Sequence, residues 1–138
     1  MSYISANLRQ IVIRRAGNRC EYCGLAQTGQ VATFHIDHVI PLAGGGPTAA
    51  DNFALACVSC SLRKAARTNA IDPSTGLTSP LFNPRSQRWH EHFRWDDVFV
   101  IGLTATGRST VAALAMNRPI ILAIRNEERV FRRHPPDL

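Results

Sequence analysis

The chain has 138 residues, 45% of them hydrophobic and 19% charged, a balance that excludes wholesale disorder and fits one domain, or a small domain with an extension. No run of eighteen apolar residues occurs, which excludes a transmembrane helix, and the polar first ten residues lack the apolar core of a secretory signal, so the expected location is the cytoplasm. The formal net charge of +6, carried by arginines with Lys64 as the lone lysine, suits a polyanionic partner; solubility alone is the plainer alternative.

In chain order, Ser5 is placed to cap a helix over 6–16, where Leu8, Ile11, Val12 and Arg15 recur at helical spacing, and Gly17 ends it. Cys20-Glu21-Tyr22-Cys23 follows as a C-x-x-C knuckle, with Gly24 permitting the tight turn. Residues 31–40 alternate and are rich in β-branched and aromatic types, which predicts a strand ended by Pro41, and Gly44-Gly45-Gly46 then makes a loop. A helix over 57–68 starts at the second C-x-x-C and brings Cys57, Cys60, Ser61 and Lys64 near one another. The Pro-, Ser-, Thr-, Gly- and Asn-rich stretch 69–87 reads as a connection. Residues 88–95 and 98–103, joined through Asp96-Asp97, read as a β-hairpin carrying Trp89, Glu91, Phe93 and Trp95 on one face against Arg88, His90, His92 and Arg94 on the other. Thr106 is expected to cap a helix over 107–116, and Pro119 to open a last helix to 133. This divides the chain into a module at 1–69 and an extension at 70–138 packed on it.

Cys20, Cys23, Cys57 and Cys60 fall into two knuckle-spaced pairs with none left over. Disulfides are not expected in a cytosolic protein, so the four thiolates read as ligands of one structural Zn2+. A redox pair or four core thiols are the alternatives.

Between the knuckles lies His35-Ile36-Asp37-His38-Val39-Ile40-Pro41, then Gly45-Gly46, then Asp51-Asn52-Phe53-Ala54-Leu55-Ala56-Cys57. The order C-x-x-C, D-H-x-x-P, Gly-Gly, D-N-x-x-L-x-C-x-x-C and x-x-x-K resembles the HNH endonuclease family over about residues 9–68. The resemblance implies an α+β fold: a zinc-stabilised ββα-metal core, here followed by a β-hairpin and two helices. It implies that His38 is the general base, that Asp37 binds a catalytic divalent metal, Mg2+ or Mn2+, and that Asn52 holds the loop that orients the base. The chemistry agrees with those roles. An imidazole can take a proton from water near neutral pH, and a hard cation on a carboxylate offsets charge developing on a phosphate.

The family usually has His or Asn after the last cysteine as a second metal ligand, where this chain has Ser61. Three readings follow: metal held by Asp37 and waters, His35 substituting as ligand, or loss of cleavage with binding kept. His35 otherwise supports the hairpin or meets phosphate. Arg63, Lys64 and Arg67 read as phosphate contacts on the second-knuckle helix, or as a solvated face. The expected function is hydrolysis of DNA phosphodiesters, RNA remaining open, by a monomer. The alternative is a catalytically weak or inactive zinc-containing nucleic-acid-binding module.

Overall fold

A computed structural model describes residues 4–137. These fall into two compact units, residues 4–68 with 83–86, and residues 69–82 with 87–137. No helix among the described residues is long and apolar enough to cross a membrane.

The first unit opens with α1 (Ala6–Arg15), whose N-cap Ser5 accepts from the Leu8 N–H at 3.1 Å, as expected from sequence. Its buried Val12 anchors the helix, and the Arg15 guanidinium donates to the Phe53 carbonyl at 2.7 Å. Strands β1 (His35–His38) and β2 (Phe53–Ala56) pair antiparallel, with His35 opposite Ala56 and His38 opposite Phe53. Helix α2 (Val58–Lys64) packs on both strands, completing a ββα unit. Tyr22, Phe34, Val39, Phe53 and Leu55 form the core here.

The strand expected over 31–40 is shorter because its ends bond elsewhere. Gln27 donates through Nε2 to the Ala32 carbonyl at 3.0 Å and accepts the Phe34 N–H at 2.8 Å, replacing a ladder partner. Beyond His38, Asn52 takes over. Its carbonyl accepts the Val39 N–H, its Oδ1 accepts the Ile40 N–H at 2.9 Å, and its Nδ2 donates to the Ile40 and Pro47 carbonyls, each at 2.9 Å. Gly46 is required where it stands, since a Cβ there would lie 1.8 Å from the Ile40 carbonyl oxygen.

The second unit corrects three expectations. The connection expected over 69–87 contains a hairpin of β3 (Asn69–Ile71) and β4 (Thr78–Pro80). Three-residue strands carry too little alternation to be read, and the turn residues dominated the composition. Residues Trp89–His92 form one helical turn, α3, before β5 (Phe93–Asp96) pairs with β6 (Phe99–Gly102). A continuous strand would have turned Glu91 to the aromatic side, whereas Glu91 is exposed and the Trp89 ring packs tilted against Phe93 at 4.9 Å and stacks on Trp95 at 5.0 Å. The cap of α4 (Ala105–Ala113) is Thr104 rather than Thr106: its Oγ1 accepts the Gly107 N–H at 3.0 Å, while the Thr106 side chain is buried. Pro119 opens α5 (Pro119–Val130) as its sequence position suggests.

Asp72, fully buried, closes the β3–β4 turn. It accepts the Ser74 N–H at 2.9 Å and the Thr75 hydroxyl at 3.2 Å, and takes the Arg108 fork through Nε at 3.0 Å and Nη2 at 2.9 Å. The Arg108 guanidinium first, then those local donors, hold its carboxyl down at about 2. A depressed carboxylate stabilises the fold above the unfolded value of about 3.9 and loses that contribution as pH falls toward the folded value. Trp89 and Trp95, the chain's tryptophans, both lie in this unit, so their fluorescence reads it selectively. In denaturant titrations, native protein is expected to lose stability between about pH 4 and pH 2 by a margin that Asp72→Asn does not show. Parallel pH profiles for the two proteins would remove Asp72 from the account.

Candidate metal and active site

Cys20 and Cys23 come from the first knuckle, Cys57 caps α2, and Cys60 lies in its first turn. All four are buried, and their Sγ atoms lie within 4.8 Å of one another. The Cys23 and Cys57 sulfurs stand 3.7 Å apart. That is far longer than a disulfide of about 2.05 Å. It matches the edge of about 3.8 Å in a tetrahedron whose metal–sulfur arms are about 2.3 Å. The Cys23 N–H points at Cys20 Sγ (3.5 Å) and the Cys60 N–H at Cys57 Sγ (3.4 Å), donors that favour thiolate charge. Burial pushes the Cys20 thiol well above its ordinary value, so a cation is what allows all four sulfurs to ionise together. The cluster fits a structural zinc.

Both knuckles are tied to the strands. Glu21 accepts the Leu55 N–H at 2.8 Å and donates its own N–H to the Leu55 carbonyl at 2.8 Å; its carboxylate also pairs with Arg85. Tyr22, fully buried between Cys20 and Cys23, donates its hydroxyl to Asp37 Oδ2 at 3.0 Å. Burial and the adjacent Asp37 charge keep that phenol well above its ordinary pKa, so it remains a donor. Lys64, on the last turn of α2, reaches the same Oδ2 at 3.1 Å and donates to the His38 carbonyl at 3.0 Å. Oδ1 takes no hydrogen bond from the described residues and Asp37 borders an open cleft. Burial pushes the Asp37 carboxyl up, while Lys64 and Tyr22 oppose the rise.

The cleft has a volume of about 690 Å³, and His35, Asp37, His38 and Ser61 line it together with Arg9. His35 and Asp37 share a strand face. The His35 Nδ1 lies 2.9 Å from Ser61 Oγ, so strand and helix are joined at the position where the sequence departs from its motif. His38 Nε2 lies 3.2 Å from the Thr48 hydroxyl, and its ring sits edge-on to Phe53 at 4.9 Å. Arg63 and Arg67 are exposed, bonded locally to Ser59 Oγ and the Arg63 carbonyl. Lys64 stands differently from its expected phosphate contact: it is 1% exposed and committed to Asp37. Sequence reading missed Tyr22 and Thr48. Tyr22's place between two cysteines was the available signal; nothing in the sequence around Thr48 marks its partner.

Residues 20–67 match the family model described as HNH endonuclease. They form an HNH domain. No curated protein and no solved structure matches the chain. Nucleases of the HNH family act on nucleic acids, and the domain points to a nuclease or nucleic-acid-binding function.

The buried pair beneath this HNH site makes a stability prediction. Lys64→Met would leave Asp37 buried without its cation, at an expected cost of about 3–5 kcal/mol. Urea unfolding of the zinc-loaded protein, followed by far-UV circular dichroism, measures it. A loss below about 1 kcal/mol, the scale of an exposed ion pair, would show that the pair is not what steadies Asp37.

Proposed function

We propose that the chain is a divalent-metal-dependent endonuclease that hydrolyses DNA phosphodiester bonds, with His38 taking a proton from the attacking water. The observation that carries this reading is the shared cleft: an imidazole and a carboxylate with one unbonded oxygen border the same open space. Asp37 Oδ1 would hold Mg2+ or Mn2+, and the ion would supply charge neutralisation on the phosphate. His35 or Ser61 completes the protein's share of the metal site, their 2.9 Å contact supporting a joint replacement for the usual ligand. Tyr22 and Lys64 fix the carboxylate, Thr48 turns the His38 ring, and Asn52 clamps the loop carrying Thr48. Arg63 and Arg67 extend a positive surface along α2 for backbone phosphates.

Ser61 by itself favours the second reading, a zinc-containing binding module without cleavage. Supercoiled plasmid incubated with the zinc-loaded protein separates the two. Nicked or linear product that depends on added Mg2+ or Mn2+ supports the enzyme, and salt-sensitive binding with no product at any metal concentration supports the module.

A further inference from the structure

Arg9 stands outside the matched HNH segment, on α1, yet its side chain borders the cleft that contains His35, Asp37, His38 and Ser61. Other arginines nearby are consumed by the fold. Arg15 donates to the Phe53 carbonyl at 2.7 Å, and Arg19 donates to the Gly24 carbonyl at 3.0 Å. The ammonium group of Lys64, buried behind Asp37, is consumed as well, since its Nζ is bonded to Asp37 and the His38 carbonyl. Arg9 is half-buried, and its guanidinium makes no hydrogen bond or ion pair with the described residues. Its helix is held in place by buried Val12 one turn on and by the Ser5 cap one turn back. A positioned planar fork with all its donors open, in a cleft that already contains a carboxylate, is suited to an oxyanion that the carboxylate alone would repel.

We propose that Arg9 binds a backbone phosphate of the nucleic-acid strand in this cleft. The inference rests on the nuclease reading and adds to it a residue supplied by α1, ahead of the motif. Arg9 thereby ties the helix that precedes the knuckles to the substrate's position. Its contribution is a fixed positive charge on one phosphate, independent of base identity.

The test is binding of a short fluorescent DNA duplex, in a His38→Ala background that leaves the duplex uncut, across a salt series with Mg2+ present. Arg9→Ala is expected to weaken binding about tenfold and to flatten the log-affinity against log-salt slope by about one unit. Arg9→Lys is expected to recover part of both. With His38 intact, Arg9→Ala is expected to lower kcat/KM by about the same factor, with zinc content and unfolding midpoint unchanged. Parent-like affinity and slope in Arg9→Ala overturn the Arg9 proposal alone. A parent protein that neither binds nor cuts DNA overturns the nuclease reading, and Arg9 with it. If Arg9→Ala fails to fold, Arg9→Lys and Arg9→Gln decide, because a purely structural stem would make the two behave alike.

Discussion

Replacing His38 with alanine is expected to reduce metal-dependent plasmid cleavage by about 10²- to 10⁴-fold, the range that a positioned general base contributes. The ring is well placed for such a loss to be chemical rather than structural. It is half-buried at the end of β1, on the cleft wall, and its contacts are a 3.2 Å approach to Thr48 and an edge-on packing against Phe53. Losing that packing costs about 1 kcal/mol, too little to unfold a zinc-clamped module. The variant should therefore retain zinc, fold and DNA affinity while losing turnover. Thr48→Ala, which removes only the hydroxyl that turns the ring, is expected to show a smaller drop in kcat with KM little changed. Cleavage at equal rates by native protein and His38→Ala would point to a contaminating nuclease and remove His38 from the mechanism.

Withdrawing the zinc should have the largest effect on structure. Structural zinc sites of this kind contribute about 10–16 kcal/mol of apparent binding energy, which is folding energy when the apo segment cannot hold itself together. The first unit has little else to rely on: a two-stranded sheet of four-residue strands, a seven-residue helix and one further helix. Chelation, or Cys57→Ser, is expected to abolish amide-exchange protection across residues 20–67. It should also release one equivalent of zinc per chain and leave the tryptophan signal of the second unit far less affected. Persistent protection after metal removal, or fewer than four reactive thiols in the denatured protein, would refute the four-sulfur centre.

What the sequence made legible was what depends on residue identity at fixed spacing. Two C-x-x-C pairs can only be brought together in a few ways, and Ser5, Gly17 and Pro119 mark helix ends through local backbone chemistry that needs no tertiary partner. What stayed hidden depends on which group finds which partner. Lys64 looked like a helix-surface cation because its position relative to β1 is invisible in a linear chain, and only the fold turns it toward Asp37. Gln27 replaced a strand neighbour, which no alternation pattern can announce. Thr104 and Thr106 are equivalent as caps on paper; burial of Thr106 decided between them. Trp89 and Phe93 satisfy period two and an i,i+4 spacing alike, and the exposed Glu91 broke the tie.

The double anchoring of Asp37 Oδ2 by Tyr22 and Lys64 would have a consequence for ion choice at the proposed metal site. A carboxylate gripped by one oxygen can offer only the other, so it cannot close the four-membered chelate that calcium often takes from an acidic side chain. Small octahedral ions accept a single carboxylate arm and fill their remaining positions with water and substrate. At the proposed metal site, denticity would thus set the selectivity among hard cations, imposed from behind Asp37 by a phenol and an ammonium group.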